Sequence, residues 1–225
     1  MLGLAFDSSR PLCLMVIGAH ADDIEIGCGA TVLRLVRENP CAEVEWVVAS
    51  AVGARAEEAR ASAAAFLAGA GATSVRVWEF RDGFLPYQAE RVKERFEALK
   101  AEVRPDVVLT HYRADLHQDH RLVSDLTWNT FRDSLVLEYE IPKWDGDLGA
   151  PNLYVEADIT VAQQKVDLLH QQFPSQRGRD WFDEQTFFSI MRIRGMECRS
   201  PSRLAEAFYA RKVLLHPHTS KGPCP

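Results

Sequence analysis

The stretch LCLMVIGAHADDIEIGCG, residues 12–29, decides how the chain is read. Residues 12–19 form a short, continuous apolar run, the pattern of a strand covered on both faces of a parallel sheet. The run ends on His20-Ala21-Asp22-Asp23, so a buried strand delivers an imidazole and two adjacent carboxylates to one turn. Neighbouring carboxylates repel each other and are costly to desolvate unless a cation or hydrogen bonds compensate them. The Gly27-x-Gly29 pair that follows suggests a dinucleotide fingerprint, but Val32 stands where the third glycine belongs. The aspartates also occupy the approach of a pyrophosphate. The glycines are expected instead to let the next helix pack closely on the sheet.

Outward from this strand the chain alternates. Residues 30–38 have helical periodicity, 43–50 read as a second strand and 55–68 as an Ala-rich helix. Residues 74–80 alternate like a third strand, 88–103 form an amphipathic helix, and 106–110 a fourth strand. This repetition predicts an α/β fold of βαβ units around a parallel sheet. Further on, helices are expected over 116–132, 159–172 and 181–196, and strands over 135–141 and 153–157. Residues 204–215 fit either state. Gly, Pro and Asp make 142–152 a loop, placed over a site. With no linker or repeat, one domain is expected over 1–216, followed by a disordered tail over 217–225.

Composition narrows the partners. The chain has 225 residues and a formal net charge of −6, with no basic block, which argues against nucleic acid and anionic membranes as partners. No apolar run has the length of a transmembrane helix. Arg10 precedes an apolar stretch, but Asp7 lies upstream and no cleavage site follows, so a signal peptide is not expected. The five cysteines are scattered without a C-x-x-C pair, the usage of reduced thiols in a cytoplasmic protein.

A second cluster follows the fourth strand: His111, Asp115, His117, Asp119 and His120. Open parallel sheets bind ligands at the carboxyl ends of their strands. If the first and fourth strands are neighbours, both clusters meet at one edge and supply a histidine and carboxylate inventory suited to Zn²⁺ or Fe²⁺. Each residue alone has a plainer explanation: Asp22-Asp23 as a helix cap, His117 and His120 as chance neighbours on a helix face. Their joint position at the catalytic edge favours a site. His111 is read as core or rim and His170 as structural. His216 and His218 are read as tail residues. Trp144 is the one aromatic assigned to a substrate pocket, because its loop is polar, with Tyr139, Glu140 and Asp145 as weaker rim candidates. Arg177 and Arg179 are read as a solvated loop.

The two motifs resemble those of the LmbE-like, or PIG-L, deacetylase family. The first reads Ala19-His20-Ala21-Asp22-Asp23, continuing Ile24-Glu25-Ile26-Gly27-Cys28-Gly29-Ala30-Thr31; the second reads His117-Gln118-Asp119-His120. Arg55-Ala56-Glu57-Glu58-Ala59, Asp82-Gly83, Lys165, His170, Ser175-Gln176 and Ala205-Glu206-Ala207-Phe208 match further signatures. The resemblance implies a Rossmann-like three-layer fold with a mostly parallel sheet, and a Zn²⁺-dependent N-deacetylase of N-acetyl sugars or sugar conjugates. It implies His20, Asp23 and His120 as metal ligands and Asp22 as general base. His117 would be the oxyanion donor and acid, with Asp119 orienting a neighbouring imidazole. Arg55 and Asp82 would bind substrate, and small relatives form trimers or hexamers. Ala21 and Gln118 replace prolines common at those positions. Leu116 stands where some relatives carry an arginine for a substrate carboxylate. The competing classes are an amidase on a thiol conjugate with the same site, a non-catalytic metal-binding module, and a nucleotide-binding Rossmann enzyme.

Overall fold

In the computed structural model, which describes residues 3, 5, 6, 10–39 and 42–214, the apolar run becomes β1 (Cys13–Gly18), with Leu14, Met15, Val16 and Ile17 fully buried. The later strands are β2 (Glu43–Val48), β3 (Ala72–Val77), β4 (Val107–His111), β5 (Leu135–Tyr139), β6 (Leu153–Glu156) and β7 (Ala205–Ala210). They form one seven-stranded sheet in the order β3-β2-β1-β4-β5-β7-β6. β1 to β5 are parallel, and β7 runs antiparallel to both β5 and β6. The ambiguous segment 204–215 therefore contains a strand. The tail residues 217–225, with His216 and His218, lie outside the described residues.

The sheet is sandwiched between two apolar clusters. On one face pack α1 (Asp23–Glu38), α2 (Ala54–Phe66), α5 (Ile159–Gln172) and α6 (Glu184–Glu197); on the other pack α3 (Ala89–Glu102) and α4 (Gln118–Thr130). This is the α/β three-layer arrangement with a mostly parallel sheet. The strand order reverses between β1 and β4, so their carboxyl ends open a crevice where open α/β sheets place ligands.

α1 begins seven residues before the periodicity suggests, at Asp23, and breaks at Cys28, whose φ is −144°. The break has a specific repair. In a continuous helix the Ala30 amide would donate to the Ile26 carbonyl. Here Ala30 N and Thr31 N donate to the Glu206 carboxylate at 3.0 and 2.7 Å, and Lys165 Nζ donates to the Ile26 carbonyl at 2.7 Å. Lys165 and Glu206 also pair with each other at 2.6 Å, both buried. The late signature residues thus splice the broken helix.

Gly27 is required by contact. A Cβ there would lie 2.2 Å from Tyr139 Cδ2, and that ring is fully buried, its hydroxyl donating to the Ile17 carbonyl at 2.7 Å. Tyr139 is therefore a core residue, not a rim residue. Gly27→Ala is expected to cost about 1–3 kcal/mol through overpacking, read as a lower urea midpoint with unchanged m.

Candidate active site

β1 pairs directly with β4, so the two histidine and aspartate clusters meet. His20 lies in the turn after β1, and Asp23 opens α1. Asp23 Oδ2 accepts from the His20 backbone amide at 2.7 Å, which folds the turn back on itself. His111 ends β4, and the following turn leads into α4, where His117 is the N-cap and Asp119 and His120 fill the first turn.

Three donor atoms converge. His20 Nδ1 is 3.2 Å from Asp23 Oδ2, His120 Nε2 is 3.2 Å from His20 Nδ1, and His120 Nε2 is 3.5 Å from Asp23 Oδ2. Bonds of about 2.0–2.1 Å to a tetrahedral ion would space its ligand atoms by about 3.3–3.4 Å. The triangle thus has the edges of one face of such a polyhedron. Overlapping groups of His and Asp donors, all within 4.8 Å of one another, surround it: His20 with His117 and His120, Asp23 with His111 and His120, and His20 with Asp82 and Asp119.

Each imidazole in the triangle has a carboxylate behind it. His120 Nδ1 lies 3.0 Å from Asp115 Oδ2, and His20 Nε2 lies 3.2 Å from Asp119 Oδ2 and 3.1 Å from Asp82 Oδ1. Such outer partners fix the orientation of ligating histidines. Asp119 faces His20 across the crevice, whereas an imidazole adjacent in sequence was expected. Its carboxylate also accepts from the Gly83 and Leu85 amides at 2.8 and 3.1 Å. Gln118, in place of the usual proline, donates to the Gly83 carbonyl at 3.1 Å. The turn bearing Asp82 is therefore held by α4 at three points.

Charge follows geometry. Burial works against ionisation of Asp23, but His120, His111 and His20 outweigh it and hold its carboxyl well below the usual range. Burial likewise opposes the His20 imidazolium. The Asp23 charge and hydrogen bonds to Asp119, Asp23 and Asp82 overcome it and raise its pKa well above that of free histidine. Burial, with His111 nearby, lowers His120 to about 4. Burial and the His20 charge lower His117 as well. His117 Nδ1 accepts from the Asp119 amide at 3.3 Å, so the neutral ring carries its proton on Nε2.

Asp22 stands beside this group without joining the triangle. Its Oδ1 accepts from Arg55 at 2.9 Å, while Oδ2 is buried and has no hydrogen-bond partner among the described residues. Burial, helped by the Asp23 charge and opposed by Arg55, raises its carboxyl pKa. Arg55 is itself clamped by Glu58 at 2.9 Å, and Glu58 accepts from the Ser175 amide at 2.9 Å and its hydroxyl at 2.6 Å.

Of the residues singled out from sequence, His20, Asp22, Asp23, Arg55, Asp82, His117, Asp119 and His120 lie in this one connected cluster. Trp144 is different: it is 72% exposed, and its ring meets Trp181 edge-on at 6.4 Å. The contact tying its loop to the cluster is made by its neighbour Lys143, which donates to Asp115 Oδ2 at 2.9 Å. His111 is fully buried, stacked on His120 with centroids 3.9 Å apart. Glu140 is buried against Arg194, His170 packs on Phe182, and Arg177 donates to the His170 carbonyl. Sequence reasoning assigned no role to Asp115, Glu58 or Lys143. Asp115 had a signal, a carboxylate two residues before His117; Lys143 had none.

The family model described as PIG-L: GlcNAc-PI de-N-acetylase matches residues 15–131, just over half of the chain and both clusters. The chain belongs to the PIG-L family. Solved structures share the fold. The conserved protein TT1542 from Thermus thermophilus is 22% identical with a TM-score of 0.71, covering 94% of this chain and 100% of that one. The N,N'-diacetylchitobiose deacetylase from Pyrococcus horikoshii, complexed with its inhibitor MPG, is 22% identical with a TM-score of 0.67, covering 90% and 86%. GalB, the 4-carboxy-2-hydroxymuconate hydratase from Pseudomonas putida, is 18% identical with a TM-score of 0.72, covering 92% and 99%. At these identities the likeness establishes the fold, and the hydratase shows that the fold alone does not choose the reaction. No curated protein matched the chain. The PIG-L match stops short of the 142–152 loop.

Proposed function

We propose that this PIG-L protein is a zinc-dependent N-deacetylase acting on a small N-acetyl amino sugar or sugar conjugate. The observation that carries the reading is the triangle of His20 Nδ1, Asp23 Oδ2 and His120 Nε2, with edges of 3.2, 3.2 and 3.5 Å. Two imidazoles and one carboxylate are a donor set for Zn²⁺ that leaves a position open, and Fe²⁺ fits the same donors. When bound there, the ion supplies Lewis acidity, polarising the acetyl carbonyl and making water acidic enough to ionise near neutral pH.

The protein's own groups do the rest. Asp22 Oδ2, buried and without a hydrogen-bond partner among the described residues, takes the water's proton while Arg55 holds Oδ1 still. His117, neutral with its proton on Nε2, donates a hydrogen bond to the acetyl oxygen as negative charge develops there. The proton returns from Asp22 to the departing amine, because an amide anion is too basic to leave. Asp82, 80% exposed at the mouth of the site, accepts hydrogen bonds from substrate hydroxyls, and Arg55 donates to them. The Trp144 ring forms an outer wall for the sugar. The reading includes a cytoplasmic location, supported by the free thiols Cys13, Cys28 and Cys198, and a homo-oligomer, trimer or hexamer. No helix among the described residues is long and apolar enough to cross a membrane.

The test is acetate release from a panel of N-acetyl sugars and conjugates by zinc-loaded protein, with a chelated control. Chelator-sensitive release supports the hydrolase; stoichiometric zinc without release from any member favours a non-catalytic metal-binding module. A second readout comes from His20. Its raised pKa means that a bound ion displaces a proton from the ring, so zinc binding should be accompanied by proton release. Affinity should therefore rise with pH until the His20 pKa is passed. Titration calorimetry in buffers of different ionisation enthalpy checks this.

A further inference from the structure

The cluster has an attachment that the proposed chemistry does not use. Lys143 lies on the loop between β5 and β6, and its side chain is 12% exposed. Its ammonium donates to Asp115 Oδ2 at 2.9 Å and pairs with Asp147 Oδ2. Asp147 Oδ2 also accepts from the Leu116 amide at 2.7 Å. Asp115 accepts from the His117 amide through Oδ1 at 2.7 Å and faces His120 Nδ1 through Oδ2 at 3.0 Å. One carboxylate oxygen thus serves both a ring of the metal triangle and the loop that carries Trp144.

We infer that Lys143 is a positioning residue that latches the 142–152 loop to the metal-ligating His120 through Asp115, so that metal occupancy and loop closure support each other. The inference rests on the metal site proposed above. Ligation through Nε2 leaves Nδ1 as the only N–H of the His120 ring, and Nδ1 points at Asp115. The carboxylate is then fixed between ring and ammonium. Without the ion, His120 Nε2 has His20 and Asp23 as alternative hydrogen-bond neighbours at 3.2 and 3.5 Å, so nothing obliges the ring to keep its proton on Nδ1, the side that faces Asp115. Coupling between two equilibria is reciprocal, so whatever steadies the ring steadies the loop. The other contacts between this loop and the β4–α4 turn do not pass through His120, which makes Lys143 the joint to cut.

The experiment is chymotryptic cleavage of the native, full-length protein within the 142–152 loop, where Trp144 and Leu148 are exposed, with and without zinc chloride. Zinc binding is measured alongside by competition with a chromogenic chelator. In the unaltered protein zinc should slow loop cleavage several-fold. Lys143→Met should be cleaved quickly at a rate indifferent to zinc, and Lys143→Arg should regain much of the protection. With an active substrate, Lys143→Met should raise KM more than it lowers kcat, because the loop and not the reacting groups is released. Should Lys143→Met fail to fold, Lys143→Gln removes the ammonium with a smaller change of shape and should likewise lose zinc protection, whereas Asp147→Asn, which leaves the Lys143–Asp115 pair in place, should keep it. Zinc binding to the unaltered protein with no change in cleavage overturns the latch, as does persistence of zinc protection in Lys143→Met. Absence of zinc binding altogether overturns the metal site, and the latch with it.

Discussion

Asp22→Asn should keep its zinc and lower acetate turnover about 10²–10⁴-fold, the usual contribution of a positioned general base. The asymmetry follows from the two aspartates' different surroundings. Asp23 puts Oδ2 among three imidazoles and belongs to the triangle. Asp22 is tethered through Oδ1 to Arg55 and leaves Oδ2 buried and unmatched. Asparagine has the same shape and keeps an oxygen for Arg55, but it cannot accept a proton. The loss should fall on kcat, with KM little changed, because Asp22 holds no part of the resting substrate. Metal content, measured by inductively coupled plasma spectrometry, separates this from ligand loss. Full turnover in Asp22→Asn would falsify the base assignment; zinc loss would move Asp22 into the ligand set. The same substitution should leave a non-catalytic binding module unaffected.

The largest effect on stability should come from a residue far from the chemistry. Lys165→Met is expected to destabilise the fold by about 3–5 kcal/mol, the cost of leaving one member of a buried ion pair alone. Two losses act together: buried Glu206 loses its counter-charge, and the Ile26 carbonyl loses its donor. Adding Glu206→Gln should recover part of this, since the stranded charge disappears while one acceptor for Ala30 N or Thr31 N remains. Full recovery is not expected, because the break at Cys28 still exposes groups that only this pair satisfies. Urea unfolding of the single and double variants measures the difference. A double variant no more stable than Lys165→Met would mean that the hydrogen bonds, and not the charge, dominate.

The parallel strands were legible because their environment is simple. A strand buried on both faces needs a continuous apolar run, and residues 12–19 supply one. The start of α1 was hidden because its first turn is Asp23-Ile24-Glu25-Ile26-Gly27, glycine-bearing and acidic, and because the helix is completed by groups from α5 and β7. β7 was ambiguous because Ala205–Ala210 joins the sheet antiparallel, against β5 on one side and β6 on the other. At the site, the two clusters could be placed together from strand order alone. The partners of the rings could not. Asp119 turns to His20, 99 residues away, although His117 and His120 are its neighbours in sequence. Lys143 reaches Asp115 across 28 residues through a loop with no periodicity to read. Short-range pattern shows which elements exist. Contacts that depend on how loops cross a crevice are set by the assembled sheet.

The splice in α1 has a consequence for how the chain would acquire the proposed metal centre. Ala30 and Glu206 are 176 positions apart, so the first helix is sealed by the last strand. Contacts of such long sequence separation form late, after the intervening loops have closed. The helix that presents Asp23 is then expected to stay unsealed at its break until β7 docks beside β5. On the proposed metal site, capture of an ion should then belong to the closing moments of folding. A nascent chain lacking β7 would carry all three proposed ligands and yet be a poor scavenger of metal.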